Sequence, residues 1–354
     1  MNIDNADYKI FEKNYVSGKK QLLFLSFAAD VHTPVSAILK LKNEKYTFLF
    51  ESVEKGSQKG RYSVIGLKPD IIWQCKNNKC SYRNFNKSNK IKILNQKPLD
   101  SLKKIMSENK LTLPNKIPSI STGLFGYMGY EMIQFFENID LKKKNYLEIP
   151  DSIFIRPSIT LVFDNVNDRL LITKVVCKNS LKPKEAFIKA KSEIYGVLDK
   201  INKPLPKKNF NSLDKKEKIN IYKNVQSNTN FKEFKLMVNK AKKYILQGEI
   251  FQVVLSRIFK KKIQTDSLSI YRALRYLNPS PYLFYMNFKD FAIVGSSPEI
   301  LIKLKNKKVT IRPIAGTRKR GKTNREDENL KKDLLSDPKE IAKHLMLLDL
   351  GRND

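Results

Sequence analysis

Histidine is nearly absent from this chain of 354 residues, which holds only His32 and His344, beside three cysteines and one tryptophan. With that supply, neither a closed four-ligand zinc site nor a disulfide framework is expected. No apolar run nears the ~20 residues needed to span a bilayer, so no membrane association is expected. The opening residues, Met1 to Tyr8, have no basic segment followed by an apolar core, so no secretory leader is expected either. Acidic residues are also scarce, 35 against 68 Lys plus Arg, giving a formal charge of +33. The basic residues run from Lys9 to Lys343 without a dominant block, and no nucleic-acid motif accompanies them. They read as solvated surface and not as a nucleic-acid interface, although such a field speeds capture of an anionic small substrate. A cytoplasmic protein with reduced thiols is the expectation.

What the chain does have is core-forming material. Hydrophobic residues make up 41%, with 20 Phe and 15 Tyr, enough for one large domain or two. Residues 20–175 read as strands and hairpins, with helical spacing at 35–41 and 99–106. Cys75 and Cys80 flank Lys76-Asn77-Asn78-Lys79, a hairpin turn that can set the two cysteines opposite each other across the ladder. Gly123, Gly126 and Gly129 recur every third residue, which suits close approach of a neighbouring backbone. Residues 158–164 and 169–176 form a further hairpin. A helix over 184–199 carries Phe187, Ala190, Ile194 and Val197 on one stripe. Periodicity is lost over 200–229, the linker candidate. A helix at 231–246 closed by Gly248 follows, then a strand at 250–257, a helix near 267–277, and strands at 282–288, 291–296, 299–304 and 308–314. The order suits an α+β fold with domains at 20–175 and 230–354 joined by a helix and linker at 176–229.

Five blocks carry a resemblance: Gly248-Glu-Ile-Phe-Gln-Val-Val-Leu-Ser-Arg257, Asn278-Pro-Ser-Pro-Tyr282, Gly295-Ser-Ser-Pro-Glu299, Arg312-Pro-Ile-Ala-Gly-Thr-Arg318 and Leu345-Met-Leu-Leu-Asp-Leu-Gly-Arg-Asn-Asp354. Together they resemble the chorismate-utilising enzymes, and within them anthranilate synthase component I. Glu51-Ser52 and Gly60-Arg-Tyr-Ser63 match its N-terminal half. The resemblance implies an α/β/β/α sandwich of antiparallel sheets with outer helices, and chorismate bound with Mg²⁺ in a cleft. It implies ammonia supplied by a glutamine amidotransferase subunit (component II), anthranilate and pyruvate as products in tryptophan biosynthesis, and tryptophan as feedback inhibitor.

Two positions discriminate among relatives. Water-adding members of this superfamily resemble this chain but carry Lys at the position of Gln252, where a buried lysine can act as base. Aminodeoxychorismate synthases, the alternative reading, carry a nucleophilic Lys at the position of Ala315. Neither Gln252 nor Ala315 can supply that chemistry, so the resemblance implies direct ammonia addition. Gly316 and Thr317 match the chorismate-contacting pair, and Ser52, Pro281, Tyr282 and Leu283 the tryptophan-binding positions, with Leu283 where Met is common.

One position departs from the family pattern. The Mg²⁺ motif Lys-Glu-x-x-Glu-His reads Lys339-Glu340-Ile-Ala-Lys343-His344 here. Glu340 is retained as a metal residue, while Lys343 stands where a direct carboxylate ligand is implied. An ammonium has no lone pair to offer a hard cation, and its charge opposes the metal unless the helix is shifted or the side chain swings outward to solvent. Leu345, Met346, Leu348 and Leu350 form a packing face whose partners are expected further along. The expectations are therefore a C-terminally incomplete chain with little or no synthase activity, or a non-catalytic remnant that binds tryptophan or a subunit.

Overall fold

The computed structural model describes residues 7–41, 44–54, 58–115, 117–139, 141, 147–205 and 224–353. They fall into two compact units, Met1–Leu205 with Ile270–Asp354, and Pro206–Ser269. Most of the expected linker, 206–223, and Asp354 lie outside the described residues.

The first unit begins with α1 (Tyr8–Val16), β1 (Gln21–Ala28), α2 (Pro34–Leu41) and β2 (Thr47–Glu51). The short β3 (Val53–Glu54) and β4 (Gln58–Lys59) precede the long β5 (Tyr62–Lys76), β6 (Lys79–Asn84) and β7 (Ser88–Leu94). Then come α3 (Pro98–Glu108), β8 (Phe125–Met128), β9 (Ser152–Asp164), β10 (Arg169–Val176) and α4 (Pro183–Asn202). The second unit holds β11 (Gln226–Ser227), α5 (Phe231–Leu246), β12 (Phe259–Lys260) and the start of α6 (Ser267–Leu277). The chain returns to the first unit for β13 (Tyr282–Asn287), β14 (Ala292–Ser297), β15 (Lys303–Lys305), β16 (Lys308–Thr310), α7 (Asn324–Ser336) and α8 (Pro338–Asn353).

A ten-stranded sheet in the order β1-β10-β9-β5-β2-β13-β14, with β6, β7 and β8 attached off this path, organises the first unit. Every pairing is antiparallel. The fold is therefore α+β, as the residue pattern implies. Among the described residues the remaining strands form only two-stranded pieces, so a second large sheet of the implied sandwich is not present in them. The β13–β14 hairpin joins this sheet through β2, with Leu283 opposite Glu51. Residues 282–297 thus share a sheet with 21–176, across the linear division at 230.

The centre of β5 is buried on both faces, which explains its near-continuous apolar sequence. Its bulge falls between Pro69 and Ile71, where proline has no N–H to offer the ladder. Gly126 answers the glycine spacing: a Cβ there would lie 1.8 Å from the Ile153 carbonyl oxygen. The α4 stripe of Phe187, Ala190, Ile194 and Val197 is buried as expected. The Cys75–Cys80 pairing forms in the predicted register.

In the second unit, α5 is capped by Asn230, whose side chain accepts from the Glu233 amide while the Glu233 carboxylate accepts from the Asn230 amide. Gly248 follows the helix at φ +76°, and the Glu249 amide reaches back to the Tyr244 carbonyl at 3.0 Å. The expected strand at 250–257 does not form; residues 252–258 have no ladder and only β12 pairs, with β11. A strand is stabilised by its neighbours, and the described residues of this unit supply a partner two residues long. The strands expected at 299–304 and 308–314 shorten to β15 and β16. Among the described residues no helix is long and apolar enough to cross a membrane.

Candidate active site

The segment 312–318 leaves β16 without regular structure and lies against the junction of α7 and α8. Three side chains hold it there. Glu299 Oε1 accepts from the Ile314 amide at 3.2 Å. Arg318 Nε donates to Asp333 Oδ2 at 2.6 Å, and its Nη2 to Asp337 Oδ2 at 2.7 Å. Asp337 also caps α8, its Oδ1 accepting from the amides of Lys339 (3.0 Å) and Glu340 (3.3 Å). The Arg318 hydrogen bond, aided by the Glu340 amide, holds the Asp337 carboxyl below the usual aspartate range. The hydrogen bonds it donates to Asp333 and Asp337 raise the Arg318 guanidinium in turn.

The clamp places Ala315 and Gly316 beside Glu340 in a cleft of about 230 Å³, completed by Leu334, Leu335, Ile341, His344 and Leu345. A Cβ on Gly316 would meet Glu340 Oε2 at 2.1 Å, so only glycine admits the carboxylate at this spot. Among the described residues no hydrogen-bond donor reaches that shielded oxygen. A carboxylate oxygen left unpartnered out of solvent fits a role as cation contact. Among the described residues no group of three or more His, Cys, Asp or Glu side chains could close a metal cage. Glu340 therefore fits Mg²⁺ in the manner of ions that keep several waters and take one or two carboxylates. Lys343 is exposed and does not line the cleft.

The structure thus brings Ala315, Gly316 and Glu340 together. Thr317 follows directly but is exposed and outside the lining. Gln252 belongs to the second unit, in an exposed segment without regular structure. His344, to which the sequence assigns no cleft role, lines the cleft. The Asp337-Pro338 dipeptide is the signal that finds the clamp, since a capping Asp before a first-turn Pro marks a helix start.

A second constellation forms where β2 meets β13. Leu283 is buried opposite Glu51 in the last pair of the ladder, and Tyr282 and Ser52 are the residues that adjoin that pair in the chain. Gly60 packs so closely on Ser52 that a Cβ there would meet its Oγ at 2.4 Å. Below the pair, the buried Glu51 accepts from the Tyr271 hydroxyl at 2.6 Å and from Arg275 Nε at 2.8 Å. Burial first, and then the Glu51 charge, push the Tyr271 phenol far above its ordinary range. Ser52, Pro281, Tyr282 and Leu283 are therefore gathered at one sheet junction, braced by α6.

Residues 46–354 match the family model for chorismate binding enzymes. The chain is 39% identical to anthranilate synthase component 1 of Cereibacter sphaeroides, covering 99% of this chain and 70% of that protein. It is 36% identical to the Aquifex aeolicus protein of the same name, covering 94% and 66%. The match to the Acetivibrio thermocellus protein, also so named, is 39% over 92% and 65%. The chain thus spans 65–70% of the length of these relatives. Among solved structures, anthranilate synthase component I from Streptococcus pneumoniae TIGR4 superposes with a TM-score of 0.66 at 29% identity, covering 85% of this chain and 62% of that one. The menaquinone-specific isochorismate synthase of Escherichia coli shares the fold at a TM-score of 0.56 and 16% identity. The chain belongs to the chorismate-binding enzyme family.

Proposed function

We propose that this chain acts as an anthranilate synthase component I, binding chorismate with Mg²⁺ at the Ala315–Gly316–Glu340 cleft and directing ammonia to the ring carbon ortho to the carboxylate. The carrying observation is the unpartnered Glu340 oxygen facing Gly316, with a methyl side chain, Ala315, beside it. Mg²⁺ would supply charge neutralisation for the substrate carboxylate, and Glu340 would hold it directly or through water. Backbone N–H groups at Gly316 and Thr317 would bind the same carboxylate, which the glycine lets approach closely. Ala315 offers no nucleophile for a covalent route, and Gln252 no base for water, so ammonia attacks, the ring hydroxyl leaves and pyruvate is eliminated.

The ammonia source in this reading is a glutamine amidotransferase subunit, and the setting is the cytoplasm. Tryptophan would bind at Ser52, Pro281, Tyr282 and Leu283 and inhibit. Incubation with chorismate, ammonium and Mg²⁺, followed by chromatographic identification of the aromatic product, tests the assignment. Anthranilate supports it; isochorismate or aminodeoxychorismate overturns it.

A further inference from the structure

Cys75 and Cys80 are directly opposed across the β5–β6 hairpin, one step inward from Lys76 opposite Lys79. Asn77 (φ 48°) and Asn78 (φ 64°) form the two-residue turn in the left-handed region that such tight hairpins require. A two-residue turn makes its flanking pair the hydrogen-bonded one, which puts the cysteines at the next, non-hydrogen-bonded pair. Cα atoms in such pairs stand about 4.5 Å apart with side chains on one face. A disulfide accepts Cα separations of ~4.4–6.8 Å. Neither cysteine is in a disulfide, both are buried, and the Cys75 side chain hydrogen-bonds Cys80. The strands therefore already stand at bonding distance.

We propose that Cys75 and Cys80 form a reversible cross-strand disulfide, an oxidation site that locks this hairpin when the protein meets a peroxide. The Cys80 thiolate attacks one peroxide oxygen and the O–O bond breaks. The departing hydroxide takes up the proton that Cys80 released, leaving a sulfenic acid and water. The Cys75 sulfur then attacks that sulfenic sulfur, an S–S bond forms and the S–O bond breaks. The second hydroxide leaves as water with the Cys75 proton. Two thiols lose two electrons and one peroxide becomes two waters.

The surroundings favour Cys80 as the attacking sulfur. The hydrogen bond from Cys75 draws its thiol down to about 7 against the opposing effect of burial, with Ser101 beside it. Ser101 is fixed by donating to the Pro98 carbonyl and accepting from Trp73 Nε1. It also lines an open cavity of about 250 Å³ rimmed by Lys87, Lys90, Lys92 and Lys104. The cavity stops short of both cysteines, so a small oxidant would approach the buried pair past Ser101. Cys177 stands apart, half-buried against Arg156 Nη2 at 3.5 Å, its thiol pushed up by burial, and serves as an internal gauge of oxidant dose.

The test exposes the native protein to hydrogen peroxide, quenches by alkylation and maps the cysteine peptides by mass spectrometry. The expected result is a Cys75–Cys80 cross-link lighter by two hydrogens at doses that leave Cys177 alkylatable, reversed fully by dithiothreitol. Cys177→Ser should behave identically, and oxidised protein should melt at a higher temperature than reduced protein. Alkylation of both Cys75 and Cys80 at a dose that oxidises Cys177 overturns the proposal. So does oxidation of Cys80 to sulfinic acid without a cross-link.

Discussion

A side chain on Gly316 and the carboxylate of Glu340 cannot coexist as the structure has them: a Cβ at 316 would lie 2.1 Å from Glu340 Oε2. Gly316→Ala should therefore displace Glu340 without unfolding the chain, because the clash is with the end of a side chain on the cleft wall. The expected outcome is at least a tenfold weakening of Mg²⁺-dependent chorismate binding, with a thermal midpoint near that of the parent. Calorimetric titration beside a melting curve checks it.

Asp337 joins the two halves of the cleft, capping α8 and receiving Arg318. Asp337→Ala should raise amide hydrogen exchange at Lys339 and Glu340 well above that of the middle of α8. The pH dependence follows from the sign of the shift. Its carboxyl sits below the usual range when folded, so its contribution is present above the unfolded value of ~3.9 and is lost as pH falls through the lower folded value. Exchange measured from pH 6 downward should show α8 loosening at its first turn only in the acid range.

Glu51 accepts from Tyr271 and Arg275 beneath the Ser52–Tyr282 junction. Tyr271→Phe removes a donor from a buried carboxylate and should cost about 1–3 kcal/mol in urea unfolding. If tryptophan binds above this brace, its stabilisation of the folded chain should shrink in the same variant, as read by thermal shift with and without the amino acid.

The buried pair Arg156–Asp70 is bidentate at 2.7 and 2.8 Å. Burial opposes the Arg156 charge, and the Asp70 carboxylate more than offsets it. Arg156→Met alone strands Asp70 and should cost roughly 3–5 kcal/mol, while the double variant with Asp70→Leu should recover most of that loss. Chemical denaturation of the three proteins decides it.

Elements with strong local signals were legible in the sequence: the α4 stripe, the Asn230 cap with Gly248, and the Cys75–Cys80 hairpin each rest on residues close in sequence. The irregular course of 250–257 was not, because its apolar residues meet the pattern of a strand but a ladder depends on a partner that sequence pattern does not name. The cleft was half legible. Ala315, Gly316 and Glu340 come from motifs, whereas the presence of the exposed His344 in the cleft lining, and not of Lys343, depends on the helical phase set by the Asp337 cap. The pairing of β2 with β13, which brings Ser52 to Tyr282, joins residues more than two hundred positions apart, beyond any local signal.

Equilibrium binding of chorismate to the purified chain, titrated with and without Mg²⁺ and repeated with Glu340→Gln, tests the central claim most directly. The account predicts saturable binding that strengthens with Mg²⁺, and loss of that Mg²⁺ effect in the variant. Binding that is indifferent to Mg²⁺, or a Mg²⁺ effect that survives Glu340→Gln, would contradict it.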